Sequence, residues 1–330
     1  MASFSVDSNL KKKMKNHLSA LFMLPLMLVF PLKSMANGLL GDVNGDKVVN
    51  TTDVSDLVSY LLSKSDVPAG TPDVNLDGSI DVADVTALVN LVLHPSGKLT
   101  FVVNGELFTM VPVEGGTFNM GSNSSDAMDN EKPVHRVTLS SFYMAETEFT
   151  QKLYKAVMGK GHGSTYKGDN LPIHRITWDD CQKVIAKLNE QTGFTFRMPT
   201  EAEWEFAARG GTKSKGYKYA GSNTLANVAW YSANSGNKPN DVATKAPNEL
   251  GIYDMSGNVK EWCSDFYAEY SSAAQTNPTG PEEDDVIFKS KVNRGGAFNS
   301  VESLCTVTTR SDLQQTNSSY VLGLRLALVP

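Results

Sequence analysis

The sequence predicts a large α+β domain with few regular helices, preceded by a small all-α module, and three observations predict it. Two acidic segments repeat at an offset of 31 residues, each leading into an apolar helical stripe. Beyond residue 99 only three stretches carry helix-start and helix-stop residues, and the remainder is rich in Gly, Asn and Ser, as short strands and ordered loops require. Finally, ELGIYDMSGNVKEWCSD (249–265) sets Ser256, Gly257 and Asn258 between the aromatic anchors Tyr253 and Trp262, with Gly251 just before them. At 330 residues there is room for one large domain and something small.

Residues 1–36 have the pattern of a secretory signal peptide. Lys11, Lys12, Lys13 and Lys15 precede an apolar run from Leu18 to Leu32, and Ser34-Met35-Ala36 is a small-x-small cleavage site. Pro25 and Pro31 interrupt the run, which is short for a membrane span. No Cys follows the site, so a lipoprotein anchor is not expected, and Met14 is an alternative start. The expected location is secreted: medium, cell surface or periplasm. Removing five Lys and one Asp with this segment takes the net charge from −6 to −10. Residues 37–95 hold nine Asp against two Lys, so the acidity is local and points to cation binding. No basic patch with interleaved aromatics occurs, which argues against nucleic acid. Cys181, Cys263 and Cys305 allow at most one internal bridge.

Within residues 37–95, DVNGDKVVNTTD (42–53) and DVNLDGSIDVAD (73–84) place oxygen-bearing residues at positions 1, 3, 5, 9 and 12 of a loop. These are Asp42, Asn44, Asp46, Asn50 and Asp53, then Asp73, Asn75, Asp77, Asp81 and Asp84. The spacing is that of calcium loops, with the carbonyls of Val48 and Ser79 at position 7. Each loop feeds a helix whose stripe (Val54, Leu57, Val58, Leu61, Leu62, then Val85, Leu88, Val89, Val92, Leu93) needs the other half to cover it. The second loop, with four carboxylates and Gly78 at the turn, is expected to bind more tightly than the first, with three and Lys47. The pair resembles a type I dockerin, a calcium-dependent module that attaches secreted proteins to cohesins of a scaffold. That resemblance places partner contacts at Thr51, Thr52, Val82 and Ala83, which differ between the halves, so two-way docking is not expected.

Residues 96–330 form the large domain, after a short linker at Pro95-Ser96-Gly97, with Leu99–Val103 as its first strand. Thr150 caps a helix ending at Gly159, and Thr177 caps one ending at Gly193. Thr200 and Glu203 form a capping box. With Glu203 capping and Glu205 pairing with Arg209, the TEAEWE glutamates are expected to be structural, not catalytic. His135 and His174, each in P-x-H-R, lack metal-ligand spacing, and His162 reads as a loop residue. The four Trp are expected in the core.

In the 249–265 stretch, Asp254 and Glu261 with the carbonyls of Gly257 and Val259 can converge on one hard cation. This segment resembles that around a calcium site of the formylglycine-generating enzyme (sulfatase-modifying factor) family. GGTFNMGS (115–122), PVHRVTLSSFYMAETEFT (133–150), PIHRITWDD (172–180), FRMPTEAEWEFAARGG (196–211), NRGGAF (293–298) and LGLRLALV (322–329) agree in register. Asn227-Val228 resembles the family's other calcium segment. The resemblance implies an irregular α+β fold related to C-type lectins. It also implies, in members with the activity, oxidation of a sulfatase cysteine to formylglycine at Cu(I) held by two cysteines, four residues between them. Here Cys305 matches the second and Ser300 stands at the first. A hydroxyl is a hard, un-ionised ligand that does not replace a thiolate for Cu(I), so copper is not expected. The expected function is a secreted, dockerin-borne binding or structural module. The alternatives are a formylglycine-generating oxidase using Cys305 and a polysaccharide-binding module.

Overall fold

The computed structural model describes residues 37–63, 68–93, 97–283 and 289–329. The expected signal peptide, and Pro95 and Ser96 of the expected linker, lie outside these residues. Among the described residues no helix is long and apolar enough to cross a membrane.

The first described element is a short strand β1 (Gly38–Leu39), followed by the two loop-fed helices α1 (Thr51–Ser63) and α2 (Val82–Leu93). Their stripes close on each other as the repeat demands: Leu57, Val85 and Leu88 are buried together with Val43, Val74 and Ile80. Val54, Val58, Leu61, Val89 and Val92 pack at the margin. Two residues of the expected stripes lie outside this cluster, Leu62 pointing outward at 59% exposure and Leu93 half-buried, while Tyr60 is buried at 6%. Tyr60 lies three residues after Leu57, on the same face.

The large domain follows as β2 (Leu99–Val103), β3 (Glu106–Val113), β4 (Gly116–Met120), β5 (His135–Leu139) and β6 (Phe142–Ala145). Next come α3 (Gln151–Met158), α4 (Trp178–Thr192), β7 (Phe196–Arg197), α5 (Glu201–Ala208) and a single turn α6 (Leu225–Val228). The chain ends in β8 (Lys260–Phe266), β9 (Gln275–Thr276), β10 (Ser290–Arg294), β11 (Arg310–Gln314), β12 (Leu322–Gly323) and β13 (Ala327–Leu328). Among the described residues three sheets result: β1-β2-β3-β6-β13-β7, β11-β10-β8-β12 and β4-β5-β9. The β2–β3 hairpin turns on Asn104 and Gly105, both at positive φ, as a two-residue turn requires. All three expected helix starts are real: Thr150, Thr177 and Thr200 accept the N–H of Leu153, Asp180 and Glu203.

One core lies between the six-stranded sheet and α3 and α4, built on Phe101, Phe196, Leu188, Trp262 and Leu326. A second surrounds α5, with Trp204, Phe206, Val137 and Met255. Glu203 caps α5 and Glu205 pairs with Arg209 as expected, within a wider network. Fully buried Arg294 reaches Glu201 at 3.2 Å and Glu205 at 2.5 Å, and Arg310 takes Glu201 at 2.6 Å. Arg209 closes on Glu205 at 2.8 Å.

Trp204 and Trp262 are core residues, but Trp178 and Trp230 are only half-buried, which corrects the expectation for those two. Each lies under a lysine, Lys291 and Lys245 respectively. A cation over an indole face tolerates partial exposure. The cysteines are unbridged and buried, all three.

Candidate functional site

In both acidic loops the first and last carboxylates gather the loop's own amides. Asp42 accepts the N–H of Gly45, Asp46 and Lys47, and Asp53 those of Val43, Asn44 and Asn50. Asp84 does for Val74, Asn75 and Asp81 what Asp53 does in the first loop. The loops differ at position 1: Asp73 Oδ2 accepts Gly78 N–H, while its Oδ1 is buried without a partner. Burial, opposed by these amide bonds, raises the carboxyl groups of Asp42, Asp73 and Asp84, and neighbouring acids add to it. Position 6 has positive φ in both loops, 71° at Lys47 and 86° at Gly78. Asn44, Asp46, Asn75 and Asp77 sit on the rim, where each Asn amide donates to the Asp two residues on. Asn50 and Asp81 accept the N–H of Thr52 and Ala83 at the helix starts. Among the described residues no three His, Cys, Asp or Glu side chains form a ready-made metal cage. A calcium ion at these loops would therefore draw on the Asn and backbone oxygens as well. The oxygen-only donor set and the orphaned oxygen of Asp73 fit that ion.

The turn before β8 is built as a buried charge cluster. Gly257 is held at φ 83°, and a Cβ there would lie 2.3 Å from the Trp230 carbonyl oxygen. Glu261 does not stand open for a cation: Arg325 donates to both its oxygens at 2.7–3.0 Å, and Trp204 Nε1–H donates to Oε2 at 2.6 Å. The countercharge expected from a metal comes from Arg325 at the chain's far end. Glu148, which the sequence did not single out, accepts Asn258 Nδ2–H and Val259 N–H from the turn. Burial, reinforced by Asp254 and Glu261, pushes the Glu148 carboxyl well up. Asp254 sits at φ 60° and accepts Ala243 N–H through Oδ2, while its Oδ1 is buried without a partner. Burial raises its carboxyl to about 6. Asn227 lies in α6, and its carbonyl accepts Ala246 N–H.

The P-x-H motifs are local devices. His135 Nδ1–H donates to Pro133 O and His174 Nδ1–H to Pro172 O, and His174 Nε2 accepts Tyr166 N–H. His135 thus braces the entry to β5, whereas His174 braces irregular backbone ahead of α4 where the sequence suggests a strand, and burial lowers the His174 pKa.

Cys305 is fully buried against Tyr219, Leu225, Val228 and Ala229. Its Sγ–H donates to Val301 O, and burial pushes the thiol up to about 12. Ser300 Oγ accepts Ala297 N–H at 2.9 Å, closing the turn that follows Gly296. A Cβ on Gly296 would lie 2.5 Å from Leu304 O and 2.7 Å from Cys305 Sγ, so the chain passes here only as glycine. Around this turn Val301 and Tyr320 are exposed at 56% and 47%. Asn299 Nδ2–H donates to the Tyr320 hydroxyl. Tyr166 packs edge-on to Phe298 and, with Trp230, lines an adjoining cleft of about 560 Å³.

Residues 102–329 match the sulfatase-modifying factor enzyme 1-like domain (FGE-sulfatase). The chain belongs to this family. Residues 40–93 match the dockerin type I domain, a module that generally binds calcium and cohesins. Over 217 residues the chain is 36% identical to the chaperone protein LppX of Paenibacillus barcinonensis, covering 51% of this chain and 75% of that protein. It is 28% identical over 298 residues to the formylglycine-generating enzyme of Thermomonospora curvata, covering 67% and 93%. Among solved structures, Treponema denticola variable protein 1 superposes with a TM-score of 0.63 at 30% identity, covering 71% of this chain and 99% of that one.

At the position where the resemblance implies Cu(I), the residues present do not fit that ion. One partner is a thiol held protonated by burial, and the other is a hydroxyl spent on a backbone amide. Sequence reasoning missed Asp265, a buried acid that lines a second cleft of about 580 Å³ with His135 and Tyr270. No local motif marks it.

Proposed function

We propose that this is a secreted, dockerin-borne member of the sulfatase-modifying-factor family that works as a binding or structural module, not as the copper oxidase, and is displayed on a cohesin-type scaffold. The observation that carries this reading is Ser300, whose hydroxyl accepts Ala297 N–H at the position where a second thiolate would be needed. A single thiol with its proton pushed up to about 12 is a poor Cu(I) ligand. LppX, 36% identical, carries the name of a chaperone, which supports a family member that binds without oxidising.

Residues 37–95 would make the scaffold contact through Thr51, Thr52, Val82 and Ala83. Thr52, Val82 and Ala83 are exposed, as such a contact requires. Calcium would be held at the two acidic loops. A further calcium site in the large domain rests on the orphaned oxygen of Asp254 with the Gly257 and Val259 carbonyls, since Glu261 is engaged by Arg325.

The test of the central reading is to load the protein and its Ser300→Cys variant with Cu(I) and follow a sulfatase-type cysteine peptide by mass spectrometry. The unmodified protein is expected to retain little copper and leave the peptide unchanged, and Ser300→Cys to gain copper affinity. Peptide oxidation by the unmodified protein would make it an enzyme. A second reading, a polysaccharide ligand, is favoured by the cleft that Tyr166 and Trp230 line and by exposed Tyr320, which packs on the same Phe298 as Tyr166. Retention on an insoluble polysaccharide, compared with a Tyr320→Ala variant, tests it.

A further inference from the structure

The first acidic loop does not face solvent on all sides. Lys47, where its counterpart loop has Gly78, takes the positive φ of 71° that a residue with a Cβ adopts only at a cost. Its Nζ–H donates to the carbonyl of Gly193 at 2.5 Å, and the ammonium lies 5.3 Å from the Phe194 ring centroid. Gly193 is the left-handed cap that ends α4, so its carbonyl lies at the negative end of that helix. Two positions on, Val49 packs against both the module core and the large-domain core. Its counterpart in the second loop, Ile80, is buried in the module core alone.

The strap before this loop continues the contact. β1 pairs with β2 through Gly38↔Val102 and Leu39↔Phe101, and Leu39 lies in the large-domain core. On the module side, Thr71 Oγ1–H donates to Leu39 O and accepts Gly41 N–H. The loop that departs from its repeat partner at position 6 is thus the one that touches the large domain.

We infer that the first calcium loop is a docking surface for the chain's own large domain, with Lys47 seated on the C-terminal end of α4, so that calcium at this loop locks the two parts together. The inference rests on the reading of the loops as calcium sites. Ordering the loop around the ion fixes the turn that aims Lys47, and the cation then completes the end of α4.

The experiment is hydrogen exchange on the full chain, wild type and Lys47→Gly, each in calcium and in chelator. Glycine suits the positive φ, so the variant's loop folds without strain and only the contact is lost. In the wild type, calcium should slow exchange in α1 and also over residues 189–196. The second effect should be roughly twofold to fivefold, the scale of a cation placed at an exposed helix C-terminus. In Lys47→Gly the effect on α1 should remain and that on 189–196 should vanish. Exchange over 189–196 that ignores calcium in the wild type while α1 responds, or responds equally in the variant, overturns the inference. If α1 itself ignores calcium, the calcium reading fails, and equal exchange over 189–196 in the two proteins in a single buffer then overturns the docking as well.

Discussion

Asp265 offers a stability test whose magnitude follows from its surroundings. It lies on β8 at 5% exposure, and its Oδ2 accepts Glu201 N–H at 3.0 Å and the Ser264 hydroxyl at 2.9 Å. Burial, with the charge of Glu201 added, outweighs these bonds and raises the carboxyl from 3.8 to about 7. The folded state therefore holds this proton more tightly than the unfolded chain. Its contribution is fully present below about pH 3.8 and is lost as pH rises through about 7. At about 1.4 kcal/mol per tenfold of proton affinity, ionising Asp265 costs the folded state up to about 4 kcal/mol. Asp265→Asn removes the charge and keeps an acceptor for Glu201 N–H. It should raise stability by as much as about 4 kcal/mol near pH 8, or roughly 10 °C in melting temperature for a domain of this size. The gain should fade toward zero near pH 4. Thermal denaturation of both proteins across that range measures it. A variant less stable near pH 8, or a gain that does not change with pH, would refute the argument.

Three further outcomes follow from the sites. Calorimetry on the full chain should resolve two unequal loop sites beside that of the large domain, with Asp73→Ala losing more affinity than Asp42→Ala, because Asp73 keeps an oxygen without a partner; equal losses would count against it. Glu261→Gln should cost about 3 kcal/mol by stranding the buried Arg325 guanidinium, in calcium and in chelator alike; a loss seen only with calcium would make Glu261 a metal ligand. Calcium should raise the melting temperature of the large domain in the wild type and not in Asp254→Asn, since the Asn keeps an acceptor for Ala243 N–H but not the charge; an equal rise in both would remove Asp254 from the site.

What the sequence determined by itself is whatever depends on spacing along the chain. Asp42 to Asp53 and Asp73 to Asp84 have calcium-loop spacing that can be read from the sequence because all the oxygen-bearing residues of each loop lie within one short stretch of backbone. Thr150, Thr177 and Thr200 declare helix starts because the N–H groups they satisfy lie within three residues. Ser300 and Cys305 can be set against the two-cysteine spacing that the resemblance implies because only four residues lie between them. Tertiary structure decided where buried charges find their partners. Glu261 is answered by Arg325, Glu201 by Arg294 and Arg310, and the turn at Asn258 by Glu148. Each of these pairings spans more than 60 residues, and a carboxylate brought out of water takes whichever cation or amide the fold delivers. The seat of Lys47 on Gly193 belongs to the same class, for no periodicity connects a loop turn to the end of a helix 146 residues away.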